Sequence, residues 1–340
     1  MARKRVTMQD IADACGLSRN TVSKIYNGRG SVPEATRKMV LSKAAELGYY
    51  QRIEAAEDER GGGSIALLTQ HKLLSHNFGA FFITSFTDQI CRAGYTMKMY
   101  EVSAPEIAEK KLPPHLNLDE TAGILGIELF DREYLEMICS LHKPAVFVDG
   151  YARSSKNLIH CDCVSMENVA AEMALVDRMI GAGARRIGFV GDFEHCNSFY
   201  ERWLGYSTAL SEAGLPLDRA LCILEEDGVQ YGDAEWLAER LAAMPFLPDA
   251  FACVNDFLAI HLMAALKKLG LSIPGDVMVT GFDGSTEASL IAPSLTTARI
   301  PSTEIGRIAA SLLYERIVSP DSPFRWTYVK TTPVWGESTR

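Results

Sequence analysis

The sequence contains no apolar run approaching the roughly 18–20 residues that a membrane-spanning helix requires, so no span is predicted. It also lacks a phosphate-cradling GKS or GKT loop, a nucleophile elbow and any paired-carboxylate motif that stands out from surface charge, which removes the common enzyme signatures. Metal spacing is missing as well. His160-Cys161-Asp162-Cys163 gathers ligand-type side chains, but alternate residues of a strand project to opposite faces and no matching CxxC or HxxxH set occurs elsewhere. Neither a metal nor another cofactor is expected. Gly181-Ala182-Gly183 precedes a candidate strand where a dinucleotide fingerprint would follow one, and reads better as a helix stop. The basic start Met1-Ala2-Arg3-Lys4-Arg5 is not followed by an apolar segment, because Gln9, Asp10 and Asp13 interrupt it, so secretion is not expected. The eight cysteines lack an extracellular spacing pattern, which suits reduced thiols in a cytoplasm.

What the chain does have is an uneven charge. Of 340 residues with a formal net charge of -9, the first fifty hold nine Lys/Arg against four Asp/Glu, a local excess of +5 that leaves -14 for the remainder. A positive head on an acidic body draws a polyanion to one end and keeps it off the other. Composition separates a basic helical head (1–50), a polar connector (51–63) that ends on Gly61-Gly62-Gly63, and a long body (64–340).

In the body, short apolar runs alternate with amphipathic stretches of helical length, the signature of parallel strands with helical crossovers. Strands are predicted at Ile65 to Thr69, Thr96 to Val102, Gly123 to Ile127, Ala145 to Asp149, Arg186 to Val190, Leu221 to Leu224, Ala250 to Val254 and Val277 to Phe282. Helices are predicted at Phe78 to Ala93, Asp131 to Leu141, Glu167 to Ala182, Phe199 to Ala213, Asp233 to Ala243, Asp256 to Leu269 and Thr303 to Val318. So many βα units require two doubly wound lobes, expected at about 64–161 with 292–322 and at about 162–291 with 323–340.

In the head, Thr7 can cap a helix whose Met8, Ile11, Ala12 and Cys15 share one face, and Gly16-Leu17 makes a turn. Ser18 can cap a second helix that turns Val22, Ile25 and Tyr26 inward and Arg19, Asn20, Ser23, Lys24 and Asn27 outward. A third, from about Pro33 to Leu47, would close the core with Val40, Ala44 and Leu47. The outward set mixes donors for guanine, an amide for adenine and hydroxyls for phosphate. On periodicity alone, a helical bundle with a solvated basic face remains open.

The string Ile11-Ala12-Asp13-Ala14-Cys15-Gly16-Leu17-Ser18-Arg19-Asn20-Thr21-Val22-Ser23-Lys24-Ile25-Tyr26-Asn27-Gly28, followed by Leu47-Gly48-Tyr49, closely resembles the headpiece of the LacI/GalR family of bacterial transcription regulators. The body is similar to that family's sensor through Glu201-Arg202-Trp203-Leu204-Gly205-Tyr206, Val254-Asn255-Asp256, Ile273-Pro274, Val279-Thr280-Gly281-Phe282-Asp283 and Leu295-Thr296-Thr297. The resemblance implies an all-α helix-turn-helix domain followed by a two-lobed, doubly wound α/β effector domain of the periplasmic-binding-protein-like type I. It implies base reading by Arg19, Asn20 and Lys24, and phosphate contacts by Thr7, Thr21, Ser23, Asn27 and Ser31. It places Arg202, Asn255 and Asp283 against a sugar or the polar edge of another small effector, with Asp149 and Phe78 second in rank.

Each effector residue also has a plainer reading: Asn255 as a helix cap, Asp283 as a turn residue, Arg202 in a surface salt bridge, Asp149 and Phe78 as packing. The expected partners are therefore double-stranded, pseudo-palindromic operator DNA, a second copy of the chain, and a small effector of carbohydrate type acting on a repressor. A nucleobase or sugar phosphate effector, an α/β enzyme and a sugar-binding protein on a DNA-binding head are the alternatives. Helices Phe78 to Ala93 and Thr303 to Val318 are candidates for the dimer face, and no heptad repeat follows Lys330 to support a tetramerising tail. In the family the connector inserts an apolar wedge into the minor groove. Here Asp58 stands near that position among Glu54, Glu57 and Glu59, so either the protein bends its operator less, or Ile53 serves in a shifted register, or the segment is a plain flexible linker.

Overall fold

The computed structural model describes residues 8–26, 33, 36, 39–40, 43, 63–70, 77–151, 160–227 and 231–340. The chain divides into two units, Met1–Asp58 and Glu59–Arg340.

In the first unit, α1 (Met8–Cys15) and α2 (Arg19–Tyr26) are joined at Gly16, whose φ of +65° suits a residue without a Cβ. Leu17 N–H donates back to the Ala12 carbonyl at 2.9 Å, closing the end of α1 as a left-handed cap does. Ser18 caps α2, its Oγ accepting from Thr21 N–H at 3.0 Å. Ile11, Ala12, Val22 and Val40 are fully buried, with Met8, Cys15 and Leu17 packed against them, as the inward periodicity requires. The expected inward side chains of Ile25, Tyr26, Ala44 and Leu47 lie outside the described residues.

The second unit is built on two parallel sheets. The first contains β1 (Ser64–Thr69), β2 (Thr96–Glu101), β3 (Thr121–Ile127), β4 (Ala145–Val148), β5 (Asp162–Met166) and a late strand, here called β10 (Trp326–Val329), in the order β10-β5-β4-β3-β1-β2. Helix α3 (Asn77–Arg92) and the long α11 (Ser302–Val318) cover one face, over Ile65, Leu67, Leu125, Val146 and Val164. The other face, with Leu68, Ile124, Ala145, Phe147 and Cys163, packs on Tyr134, Leu135 and Ile138 of α5 (Arg132–Ser140), which follows the short α4 (Ala104–Glu109). Both faces are apolar because both are covered.

The second sheet holds β6 (Ile187–Val190), β7 (Ala250–Cys253) and β8 (Met278–Thr280) in that order. Around it stand α6 (Val169–Gly181), α7 (Asn197–Glu212), α8 (Ala234–Ala242), α9 (Asp256–Lys268) and α10 (Thr286–Leu290). Two short antiparallel strands, β9 (Thr297–Arg299) and β11 (Thr332–Val334), pair where the chain passes between lobes.

Two expectations need correction. The boundaries at 161/162 and 322/323 would put β5 and β10 in the second lobe, yet β5 pairs with β4 (Val148 opposite Val164) and β10 pairs with β5 (Tyr328 opposite Ser165). The crossings therefore follow Met166 and Val329. The segment expected as a strand at Leu221 to Leu224 is instead a 3₁₀ turn over Arg219–Leu221 and one parallel bridge, Val190 to Ile223. Asp218 starts that turn by accepting from Ala220 N–H at 2.9 Å, which consumes the residues a longer strand would need.

Candidate functional site

On the head, Arg19 and Asn20 are exposed side by side in the first turn of α2, where nothing in the core claims them. Thr21 is half-buried, and its hydroxyl shares a 2.8 Å hydrogen bond with the Ser18 cap. Thr7, Asn27 and Ser31 lie outside the described residues, as do the side chains of Ser23, Lys24 and Phe78 and the connector segment with Ile53, Glu54, Glu57, Asp58 and Glu59.

In the body, polar side chains converge beyond the carboxyl ends of the parallel strands, where a doubly wound sheet leaves a crevice. Arg202, on α7, is 2% exposed. Its Nε donates to Asn168 Oδ1 at 3.1 Å, its Nη1 donates to the Val254 carbonyl at 2.6 Å, and the same nitrogen lies 3.3 Å from Asp283 Oδ1. The guanidinium face rests 3.8 Å from the centre of the Phe282 ring. This is a buried, multiply bonded ion pair, so the surface salt bridge reading does not describe Arg202. Asp283 keeps a third of its side-chain surface open (33%). Its carboxyl is pushed above the usual carboxylate range by burial, against the pull of Arg202.

Asn168 links this pair to a second knot. Its Nδ2 donates to Glu201 Oε2 at 2.8 Å, while Glu201 Oε1 accepts from Asn197 Nδ2 at 2.9 Å and from the Tyr328 hydroxyl at 2.6 Å. Residues from β10, α7 and the first crossing are thereby locked together, so Arg202 has little freedom to swing.

Asp149, at the end of β4, is buried and accepts from Ser198 Oγ at 2.6 Å and Ser198 N–H at 3.1 Å, a bond from the second lobe to the first. Asn255 caps α9, its Oδ1 accepting from Leu258 N–H at 2.9 Å, so the cap role is real whatever its amide nitrogen does. The expected Arg202 and Asp283 are brought together, Asn255 flanks them through the Val254 carbonyl, and Asp149 stands at the lobe crossing.

Two further acids were not assigned to the site from the sequence. Asp256 is buried, accepting from Thr297 Oγ1 at 2.5 Å and Ser285 N–H at 2.6 Å, and its carboxyl is raised by burial and then by the charge of Asp283. Glu128 follows β3 in a left-handed conformation, φ +52°. Its carboxyl is pushed up to about 7 by burial and then by Asp149. The available signal was its position, one residue past a predicted strand.

Among the described residues, no helix is long and apolar enough to cross a membrane, and no three His, Cys, Asp or Glu side chains converge as a metal site.

A family model for bacterial regulatory proteins of the lacI family matches residues 7–51, and one for a periplasmic binding protein-like domain matches residues 176–339. The HTH-type transcriptional regulator DegA of Bacillus subtilis (strain 168) is 27% identical over 309 residues, covering 89% of this chain and 88% of DegA. Among solved structures, the transcriptional regulator CelR–cellobiose complex aligns with a TM-score of 0.72 at 25% identity, over 98% of this chain and 100% of that one. The lac repressor dimer bound to operator and the anti-inducer ONPF aligns with a TM-score of 0.70 at 20% identity, over 99% of each chain, a likeness of fold.

Proposed function

The chain belongs to the lacI family of bacterial regulatory proteins, and on that premise we propose a cytoplasmic, homodimeric repressor whose grip on a pseudo-palindromic operator is set by a sugar held between its lobes. It is a DNA-binding transcription regulator and not an enzyme. Two heads are needed because one recognition helix reads too few base pairs for useful specificity, and two-fold symmetry doubles the site. The lac repressor dimer on its operator supports this arrangement. In it, Arg19, Asn20 and Lys24 read base edges while Thr7, Thr21, Ser23, Asn27 and Ser31 hold phosphates. Arg19→Ala or Asn20→Ala then weakens operator binding by about 1–3 kcal/mol and relaxes base preference, while Ser23→Ala weakens all sequences alike. Fluorescence anisotropy on selected host fragments reads both; equal losses on specific and random DNA for all three variants would remove the base-reading assignment.

For the effector, the observation that carries the reading is the Arg202–Asp283 pair, a guanidinium fixed from below by Asn168 and Val254 under a carboxylate one-third open to the crevice. Fixed acceptors and donors in a partly dry cleft suit a polyol. The cellobiose in the CelR complex is a bound sugar on the same fold. Asp283 and the free side of Asn255 would contact hydroxyls, Asp149 would bridge the lobes, and Phe78 would flank the ring. Binding that draws the lobes together changes the spacing of the heads, and operator affinity changes by the coupling free energy. The test is a thermal-shift screen of the intact chain against mono- and disaccharides, cellobiose included. A sugar at a hundred times its Kd adds about 2.7 kcal/mol of stability. Asp283→Asn should reduce that sugar's affinity at least tenfold. A shift that Asp283→Asn leaves untouched puts the effector elsewhere.

A further inference from the structure

Glu128 occupies a special place in the first sheet. From β1 the chain runs outward to β2 on one side, then returns to β3 and continues to β4 on the other. The switch point therefore lies between β1 and β3, and a crevice opens above their carboxyl ends. Glu128 is the first residue past β3 at that crevice.

Among the described residues, the charges coupled directly to it are acidic. Among the described residues, the half-buried Glu128 side chain makes no hydrogen bond or ion pair, and the charges that act on it and on which it acts are Asp149 and Asp283. Among the described residues Arg202 is the cation of this group, and its Nε and Nη1 are already directed to Asn168, the Val254 carbonyl and Asp283. Just beyond Glu128, the Phe130 ring meets His195 edge-on at 4.9 Å. His195 lines a cavity of about 470 Å³ whose other walls include Asp192, Glu194, Glu226 and Asp227. His195 itself turns Nδ1 to Asp227 at 3.3 Å. That cavity adds acceptors and negative charge on the second lobe to those of Glu128 and Asp149 on the first, and charge of one sign discriminates between ligands.

We propose that Glu128 is a specificity-determining residue of the effector cleft, selecting an amine-bearing sugar over its neutral parent and rejecting phosphorylated sugars. The inference rests on the reading that the effector binds between the lobes. An ammonium group supplies the hydrogen-bond donors and the positive charge that Glu128 lacks. A phosphate would stand against Glu128, Asp149 and Asp283, and among the described residues the cation that offsets it is Arg202, whose Nε and Nη1 are already engaged.

The test uses the intact chain at pH 7.5, with thermal shift and calorimetry against glucose, glucosamine, glucose 6-phosphate, cellobiose and the doubly aminated β-1,4 disaccharide of glucosamine. The expected result is that an aminated probe binds at least tenfold tighter than its neutral parent and that glucose 6-phosphate gives no shift. Glu128→Gln should erase the tenfold preference, and Glu128→Asp, which keeps the charge, should retain most of it; cooperative melts of both variants verify folding. If a neutral or phosphorylated probe binds as well as the aminated one, and Asp283→Asn abolishes that binding, the role of Glu128 is wrong while the sugar cleft stands. If shifts are indifferent to both Glu128→Gln and Asp283→Asn, the cleft is wrong as well. A panel without any shift overturns the aminated-sugar assignment too.

Discussion

Replacing Asp162 by Asn is expected to destabilise the first lobe by about 3–5 kcal/mol, the cost of leaving a buried charge without its partner. Asp162 begins β5 and is wholly inaccessible; Arg316, on α11, is 4% exposed. Arg316 Nε meets Asp162 Oδ2 at 2.8 Å and Nη2 meets Oδ1 at 3.2 Å, a two-pronged pairing that only a planar guanidinium can make. The remaining donors reach the carbonyls of Pro320, Ser322 and Pro323, and the guanidinium lies 4.5 Å from the Phe324 ring centre. Asp162 also accepts from Arg325 N–H at 2.8 Å. One ion pair thus fastens α11, the start of β5 and the turn that delivers β10 to the sheet edge. Loss of the carboxylate charge leaves Arg316 buried against dipoles alone. Denaturant melts of Asp162→Asn and of the double variant Asp162→Leu/Arg316→Met separate the cause: the single variant should fall sharply and the double should recover much of the loss. A single-variant loss under 1 kcal/mol would mean that solvent reaches the pair.

Such a pair shows why parts of this fold were legible in the sequence and others were not. The head announced itself through local rules: the Ser18 cap, the left-handed Gly16, and Ile11, Ala12 and Val22 at helical spacing all concern neighbours in the chain. Seven of the body strands were legible as apolar-rich runs, whereas β5, β9, β10 and β11 were not anticipated. Sheet membership was not, since β5 and β10 are joined by pairing between residues such as Cys163 and Trp326, which nothing local to either segment specifies. The same distance hides the Asp162–Arg316 pair, 154 positions apart; in the sequence Asp162 stood out only as one of the ligand-type side chains of 160–163. In the cleft, Arg202 and Asp283 were legible through resemblance, and Asn255 proved to be the helix cap that its place after β7 allowed. Glu128 was missed because an acid after a strand ordinarily reads as a solvated turn, and Leu221 to Leu224 was misread because a short apolar run does not reveal that Asp218 will start a turn. Glu172 also went unremarked in the sequence, although it shares one helical stripe with Leu175, Val176 and Met179, all buried.

Glu172→Gln is accordingly expected to stabilise the protein by roughly 3 kcal/mol at pH 7 and by almost nothing at pH 4. Both carboxyl oxygens of Glu172 are buried and, among the described residues, neither has a hydrogen-bond partner. The helices leave it no exit: α6 and α7 approach so closely at Gly205 that a Cβ there would stand 2.5 Å from the Val169 carbonyl and 2.8 Å from Glu172 Cβ. Burial pushes the carboxyl up to about 8, with Arg202 pulling the other way. An unfolded glutamate ionises near 4.5, so between about 4.5 and 8 the native state holds a proton that the unfolded chain has released. Stability then falls with rising pH by about 1.4 kcal/mol per unit across that window and is level on either side of it. Gln has the shape of the protonated acid and cannot ionise, so the variant lacks the decline; an unpartnered buried amide and an unpartnered buried carboxylic acid cost similar amounts, which makes the two proteins equal in acid. Melting curves of both at pH 4, 5.5, 7 and 8.5 test this directly. Parallel curves would mean that Glu172 is ionised and paired in the native protein, with Arg202 as the partner, and in that case Gln should instead weaken the hold on Arg202 and with it the Asp283 side of the cleft.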